Sequence, residues 1–203
     1  MKVTVHKVPF DYIVVEDMYD RCELDLIWQE LLFLTPSFLP PDKTGAARNS
    51  TREIKKQGSG IFLDSFYSDR NLSNILRLNR KLWSPKILQP AIASSPWWSL
   101  LRSCNKDATL LNHYLENEYY GPHEDMSMIS AVTILYKEDS KFSGGNFVFT
   151  DYDITVPKQS NLTVIFPGPI MHQVTPVQIL PNGNFSGRYS IAQFLLLTED
   201  RTQ

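Results

Sequence analysis

The sequence is poor in the residues that build disulfide frameworks and membrane spans. It has two cysteines, Cys22 and Cys104, no apolar run approaching 18 residues, and no apolar signal-peptide stretch at its N-terminus. Two cysteines are too few for a disulfide framework, and a membrane-spanning helix needs about 20 apolar residues. These absences predict a cytoplasmic protein with reduced thiols and no membrane partner.

The chain nevertheless contains enough apolar residues to build a sizeable core. Its 203 residues are 42% hydrophobic and 21% charged, with a mean hydropathy of -0.23. This composition excludes a disordered chain. Because the length is typical of one domain, we expect residues 1–203 to form a single domain.

Neither sign of charge dominates the whole chain, but the charges are unevenly distributed. Residues 43–106 hold 12 Lys/Arg and 3 Asp/Glu, whereas residues 1–42 hold 3 and 8, and residues 107–203 hold 5 and 11. Such a basic segment either attracts an acidic partner or pairs with the acidic remainder of the same chain. The formal net charge of -2 for the whole chain favours internal pairing and argues against nucleic acid as the partner.

The first half of the chain predicts helices and short strands. Asp20 and Glu23 fit a capping box, and apolar residues then follow at helical spacing until Pro36. Residues 42–60 are polar and almost without large apolar side chains, which predicts a mobile surface loop. A functional interpretation of such a loop is that it acts as a lid over a binding site.

From about residue 107 the apolar pattern changes to that of strands. Gly and Pro separate the runs, and many short strands at regular spacing are typical of a sandwich or barrel. The predicted fold is mainly β with helices in residues 1–106. The predicted strands of residues 107–203 are Thr109–Tyr114, Ile129–Tyr136, Asn146–Thr150, Asn161–Phe166, Met171–Val177 and Arg188–Leu197.

Two of the four histidines predict a metal site. His123 and Asp125 form a His-x-Asp pair, and His172 begins a later predicted strand. Two imidazoles and one carboxylate on one face of a metal form the facial triad of non-haem Fe(II) oxygenases. The alternative is that His123 and Asp125 are two solvated loop residues.

An arginine and a serine in the last predicted strand point to an anion site. Arg188 and Ser190 are two residues apart, so in a strand both face the same way. The strand is otherwise apolar, and a buried arginine is costly unless it meets an anion. The anion is either a structural Asp or Glu, or a dicarboxylate ligand held by the guanidinium and the hydroxyl.

The order His-x-Asp, Gly-Gly, His, Arg-x-Ser over residues 108–197 resembles the Fe(II)/2-oxoglutarate-dependent dioxygenases, particularly the prolyl 4-hydroxylase-like branch. The Gly-Gly pair is Gly144-Gly145, before a predicted core strand. The resemblance implies a double-stranded β-helix core, of the jelly-roll or cupin type. It also implies Fe(II) on the three metal ligands, and 2-oxoglutarate whose far carboxylate meets Arg188 and Ser190.

The resemblance adds four expected contacts around the metal and the cosubstrate. Tyr114 stands nine residues before His123, where the branch has a tyrosine, and Tyr120 fits a second aromatic position close to the metal. Tyr136 matches a tyrosine that binds the far carboxylate of 2-oxoglutarate. Asn112 with Tyr114 fits an Asn-x-Tyr pattern of the alkylated-base demethylases. All three tyrosines could instead be ordinary core aromatics.

The resemblance implies hydroxylation of a C–H bond, with O₂ consumed and succinate and CO₂ released, and it suggests ascorbate as a further cofactor. The first substrate it implies is a prolyl residue in a peptide or protein. The alternatives are a free amino acid or other small metabolite, and nucleic-acid demethylation in a basic trough of Arg77, Arg80 and Lys81.

Two features of the sequence differ from the prolyl 4-hydroxylase-like branch. Many prolyl hydroxylases have lysine where this chain has Arg188, and the interval from His172 to Arg188 is longer than in compact members. We expect residues 181–187 to extend a hairpin between two strands.

Overall fold

The computed structural model describes residues 1–181 and 185–198, which form fourteen strands and five α-helices. The strands are β1 Lys2–His6, β2 Tyr12–Glu16, β3 Lys56–Gln57, β4 Ser59–Phe62, β5 Lys106–Tyr114, β6 Tyr119–His123, β7 Ile129–Leu135, β8 Phe142–Gly144, β9 Phe147–Phe149, β10 Ile154–Thr155, β11 Leu162–Pro167, β12 His172–Val174, β13 Val177–Ile179 and β14 Arg188–Leu196. The α-helices are α1 Arg21–Leu34, α2 Leu63–Phe66, α3 Asn74–Leu78, α4 Pro85–Ser94 and α5 Leu100–Ser103. Short 3₁₀ helices cover Thr35–Ser37, Pro41–Lys43, Arg70–Leu72, Asn79–Trp83, Pro96–Ser99 and Thr150–Tyr152.

Two main antiparallel sheets, together with a two-stranded sheet of β8 and β13, form the β part of the described residues. The larger sheet has the strand order β1-β2-β11-β7-β14-β5-β4, and the smaller one has the order β10-β9-β12-β6-β3. The alternation along each strand sends one set of side chains between the sheets and the other set to the outer face. Thus Leu110, Val132, Val164 and Ala192 belong to a core shared with the smaller sheet. This is the double-stranded, jelly-roll arrangement that the sequence analysis predicts.

The helices cover the outer face of the larger sheet. Their apolar residues form a second core with outward-facing strand residues such as Leu111 and Ile191. Helix α1 begins at the predicted capping box, in which the Asp20 carboxylate accepts from the Glu23 amide and the Glu23 carboxylate accepts from the Asp20 amide. Trp98 lies in this second core, and its side chain is fully buried.

The prediction of a mobile surface loop over residues 42–60 is wrong for residues 56–60, which contain strand residues. Strand β3 pairs with β6, and β4 pairs with β5, so this segment closes one end of both sheets. Gly60 makes the second pairing possible, because a Cβ there would lie 2.5 Å from the Leu111 carbonyl oxygen. The polar residues that suggested a loop are those of a short edge strand.

The predicted hairpin extension falls partly on residues 182–184, which lie outside the described residues. The flanking strands are not partners of each other: β13 pairs with β8, whereas β14 pairs with β5 and β7.

The basic segment pairs with acidic residues of the same chain. Arg70 pairs with Asp64 and Asp107, Arg80 pairs with Asp107, and Lys81 pairs with Glu23. The Arg80 guanidinium also lies 4.0 Å from the centre of the Trp83 ring. Within the described residues no helix is long and apolar enough to cross a membrane.

Candidate metal centre

The two predicted histidine ligands are direct neighbours across two strands of the smaller sheet. His123 ends β6, His172 begins β12, and the two residues are paired in register. Asp125 follows two residues after His123, where its amide donates to the Gly168 carbonyl. Ligand atoms of the three residues all lie within 4.8 Å of one another. The structure therefore brings together the three predicted metal ligands from distant parts of the chain.

Backbone carbonyls orient both imidazole rings. The Nδ1 of His123 lies 2.9 Å from the Gly121 oxygen, and the Nδ1 of His172 lies 2.8 Å from the Ile170 oxygen. Since a carbonyl oxygen can only accept, each Nδ1 carries the proton and each Nε2 presents its lone pair. The Nε2 atoms face Asp125, at 3.7 Å from Oδ1 for His123 and 3.6 Å from Oδ2 for His172. This is the arrangement that a metal-ligating histidine needs.

Burial keeps both imidazoles neutral. It lowers the pKa of His123 to about 3, with His172 acting in the same direction, and it also lowers the pKa of His172. Both rings are therefore free of a second proton at neutral pH, as metal ligation requires. Burial raises the pKa of Asp125, whereas His172 and the Ser130 hydroxyl act in the opposite direction.

Ser130 fixes the carboxylate of the triad. Its Oγ donates to Asp125 Oδ2 at 2.6 Å. The Ser127 Oγ lies 2.7 Å from the Ser130 Oγ. Ser130 sits on β7 of the larger sheet, so this bond ties the carboxylate to the opposite layer. Ser130 is not predicted from the sequence, because nothing in its local pattern distinguishes it from other strand serines.

Arg188 lies at the predicted anion site with its charge unpartnered. The side chain is fully buried, its Nε donates to the Gly145 carbonyl at 2.8 Å, and its two terminal nitrogens have no partner among the described residues. In the described part of the chain no Asp or Glu pairs with Arg188, so the structural alternative does not explain its burial. Burial lowers the pKa of Arg188 only to about 10, so it remains a cation at neutral pH.

The Gly144-Gly145 turn leaves the space that the Arg188 side chain occupies. Gly145 has a φ of 62°, and a Cβ there would lie 3.1 Å from Cδ of Arg188. Two buried guanidinium nitrogens without a hydrogen-bond partner among the described residues fit a carboxylate ligand. The residues present thus suit both groups that the sequence analysis implies, a metal on the His-Asp-His triad and a dicarboxylate reaching Arg188.

Three further predicted residues line the cavity beside the metal ligands. Tyr114 and Asn112 face inward from β5, opposite Arg188 and Ser190 respectively. The Arg188 guanidinium lies 5.3 Å from the centre of the Tyr114 ring, and the Asn112 amide nitrogen donates to Ser190 Oγ at 3.3 Å. Their contacts with a bound cosubstrate stay predictions.

The two remaining tyrosines differ in their freedom to bind a ligand. The Tyr120 ring stacks on His123 at 3.6 Å between centroids, close to the metal ligands as expected, and its hydroxyl accepts from the Ala47 amide. The Tyr136 hydroxyl donates to the Lys158 carbonyl at 3.0 Å. That proton is already engaged, so a role of Tyr136 at the cosubstrate stays a prediction.

A cavity of about 410 Å³ runs from the triad between the two sheets. Its wall includes residues 44–47, and the end near Phe194 is apolar, lined by Phe62, Ala108, Leu110, Ala192, Phe194 and Leu196. This end is close to the triad, since Phe194 pairs with Ser130, which donates to Asp125. A cavity of this size can hold a small molecule or a side chain next to the cosubstrate.

Lys56 is a cavity residue that the sequence analysis missed. It belongs to β3, its side chain points inward, and only 3% of its surface is exposed. The signal that could have found it is the run Gly58-Ser59-Gly60 that follows. Small residues of this kind allow close backbone approach and indicate an edge strand as readily as a loop.

Comparisons with known proteins agree with the geometry. Residues 109–196 match the 2OG-Fe(II) oxygenase superfamily. No curated protein matches the chain. Among solved structures, a prolyl-4-hydroxylase from Pseudomonas putida is 14% identical, with 92% of each chain covered and a TM-score of 0.60.

Two other structures share the fold. The viral collagen prolyl hydroxylase from Paramecium Bursaria Chlorella virus-1 is 12% identical over 91% of this chain and 94% of that chain, with a TM-score of 0.51. EctD from S. alaskensis, solved with 2-oxoglutarate and 5-hydroxyectoine, is 13% identical over 91% and 72%, with a TM-score of 0.54. The matched region contains all three triad residues and Arg188, so the predicted site lies in the part of the chain that is similar to the 2OG-Fe(II) oxygenase superfamily.

Proposed function

We propose that this protein hydroxylates a C–H bond of a prolyl residue in a peptide or protein, with conversion of 2-oxoglutarate to succinate and CO₂. The observation that carries the reaction class is the unpartnered, buried Arg188 beside a His-Asp-His triad. The prolyl residue is the first substrate to test because the sequence motifs resemble the prolyl 4-hydroxylase-like branch.

The protein's own residues bind and orient the metal and the cosubstrate, and they exclude water from the site. Bound at the triad, Fe(II) with 2-oxoglutarate and O₂ supplies the oxidising chemistry. His123 and His172 offer neutral Nε2 atoms, since their Nδ1 protons are held by backbone carbonyls. Arg188 neutralises the far carboxylate in a buried site, where its paired hydrogen bonds also fix the orientation of the cosubstrate.

The apolar end of the cavity positions the substrate and keeps water away from the reacting carbon. Its alanines and phenylalanines offer no hydrogen bond to a substrate, so they favour an unactivated C–H bond over a polar group.

A second candidate is a free amino acid or other small metabolite. Residues 44–47 wall the cavity, and the buried Lys56 adds a positive charge that an uncharged prolyl side chain does not use. Both observations favour a compact, charged substrate. Nucleic acid has less support as a substrate, because Arg80 and Lys81 of the expected basic trough form ion pairs with Asp107 and Glu23.

The test is a survey of product formation with Fe(II), 2-oxoglutarate and ascorbate. Proline-containing peptides, free amino acids and methylated oligonucleotides are incubated with the protein, and mass spectrometry detects the added oxygen atom. Hydroxylation of a prolyl peptide supports the first proposal, and hydroxylation of a free amino acid supports the second. Oxidation of the oligonucleotides alone would contradict both.

A further inference from the structure

Lys56 is a buried cation whose hydrogen-bonding capacity is mostly unused. Its Nζ donates to Asn112 Oδ1 at 2.6 Å, and it lies 5.7 Å from the centre of the Tyr120 ring. An ammonium group has three donors. Among the described residues no other hydrogen bond and no ion pair within 4 Å engages it. Two donors therefore remain for a ligand in the cavity.

The neighbouring acid does not neutralise this charge directly. Glu118 raises the pKa of Lys56, whereas burial, the larger effect, lowers it to about 8. The Glu118 carboxylate instead accepts from the Leu115 amide at 2.7 Å. A buried ammonium without an ion-pair partner destabilises a fold, so a structural role does not explain why it points inward.

The charges of the loaded site balance without Lys56. Asp125 and the two carboxylates of 2-oxoglutarate carry three negative charges, which Fe(II) and Arg188 match with three positive ones. With one carboxylate of 2-oxoglutarate at the metal and the other at Arg188, Lys56 would be available to a third carboxylate. Glu118 acts on Lys56 without a hydrogen bond to it, so a carboxylate that contacts the free donors would come from the substrate.

We propose that Lys56 is a specificity-determining residue that binds a carboxylate of the substrate, whose apolar remainder occupies the end of the cavity near Phe194. This inference rests on the proposed function and narrows its substrate class to a molecule or chain terminus with a carboxylate close to the oxidised carbon. A carboxylate that accepts from Lys56 satisfies the two free donors and supplies the missing negative charge.

Matched acids and amides test this directly. The Fe(II)-loaded protein with 2-oxoglutarate is titrated anaerobically with L-proline and L-prolinamide, N-acetyl-L-proline and its amide, and the fatty acids from butanoate to octanoate with their amides. Calorimetry is expected to detect binding of acids, and each amide to bind at least about tenfold more weakly, because a hydrogen bond to a charged group is worth roughly 1.5–3 kcal/mol.

Lys56→Met is expected to abolish the preference for acids while leaving the Kd of 2-oxoglutarate within about twofold of wild type. Lys56→Gln, which can still donate to Asn112, serves if the first variant does not fold. The matched control is Lys86→Gln, an exposed lysine of α4 outside the cavity, which should keep the wild-type preference.

Three results would overturn the inference. They are acids and amides that bind equally or not at all, a best ligand without an anionic group, and a Lys56→Met variant that loses 2-oxoglutarate instead of the acid. Each leaves the proposed function intact if succinate is still formed. Failure of the wild-type protein to bind 2-oxoglutarate would instead contradict the proposed function.

Discussion

Lys56 lines the cavity and Arg188 lies against Tyr114, which lines the same cavity, and both cations are nearly inaccessible to solvent. A buried cation without an acidic partner costs stability, so each is best explained by an anion that arrives with a ligand. The two residues differ in what surrounds them. Arg188 is held by the Gly145 carbonyl next to Tyr114, whereas Lys56 is held by Asn112 at the edge of the smaller sheet.

Arg188→Met is expected to weaken 2-oxoglutarate binding about a hundredfold, ~3 kcal/mol, because truncating one partner of a buried charge pair leaves the other charge unpaired. Anaerobic calorimetry with Fe(II) present measures the change. Without 2-oxoglutarate the variant should unfold at the same or a higher urea concentration than wild type. The control is Arg77→Met, an exposed arginine of α3. An unchanged Kd of 2-oxoglutarate in Arg188→Met would refute this role.

Ser130→Ala is expected to lower the affinity for Fe(II) roughly tenfold to a hundredfold, because the hydroxyl orients the Asp125 carboxylate. Competition with a metal chelator measures this affinity without any turnover. Ser94→Ala removes a hydroxyl from α4, where it donates to the Ala91 carbonyl, and should leave metal binding unchanged. Equal metal affinity in Ser130→Ala and wild type would exclude a positioning role.

Lys56 predicts a rise of stability with pH. The unfolded chain holds this proton up to about pH 10.5, whereas burial lowers the pKa of Lys56 in the folded protein to about 8, despite Glu118 nearby. Between these values the unfolded state binds more protons, so the free energy of unfolding increases with pH, by up to about 3 kcal/mol.

Urea unfolding of the metal-free protein between pH 7 and about 9.5 measures this rise. Lys56→Met should be more stable than wild type at pH 7, and the difference should shrink as the pH increases. Parallel stability curves for the two proteins would contradict the assignment.

At this scale the sequence predicts the catalytic centre better than its surroundings. His123, Asp125, His172 and Arg188 are predicted from their order in the chain, its resemblance to a known family and the cost of burying a charge, and the structure brings the three predicted metal ligands together. Lys56 could not be predicted in this way. Its inward direction depends on a two-residue strand whose partner, β6, lies more than 60 residues later in the chain.

Among the secondary-structure elements, local signals and long-range pairing contribute differently. Helix α1 has a local start signal at Asp20, and the long strands β5, β7, β11 and β14 show clear apolar patterns. The strands β3, β8, β10 and β13 have two or three residues each, too few for a period of two to be visible. They form through pairing with other strands: β3 pairs with β6, β10 pairs with β9, and β8 and β13 pair with each other.

Asp20→Ala is expected to lower the free energy of unfolding by about 1 kcal/mol, since it removes the acceptor for the Glu23 amide. Urea denaturation measures the loss. Asp25→Ala, at an exposed position within the same helix, should change stability by less than about 0.5 kcal/mol. The same loss in both variants would show that the cap contributes nothing of its own.

Across the described part of the molecule, some of the basic charge is neutralised internally. Arg70, Arg80 and Lys81 of the basic residues 43–106 pair with Asp107 and Glu23, which lie on either side of this segment in sequence. The fold is shared with the P. putida prolyl-4-hydroxylase at only 14% identity. Such agreement indicates that the layered pattern of apolar residues, rather than particular side chains, specifies the sheets.

The account depends most on cosubstrate chemistry at the triad. Succinate formed from 2-oxoglutarate under air, with Fe(II) and the substrate panel, tests it most directly. We predict formation by wild type, none by His172→Ala, and formation by Arg188→Met only at 2-oxoglutarate concentrations raised about a hundredfold. Succinate formation that is undiminished in His172→Ala, or absent from wild type with every compound, would contradict the account.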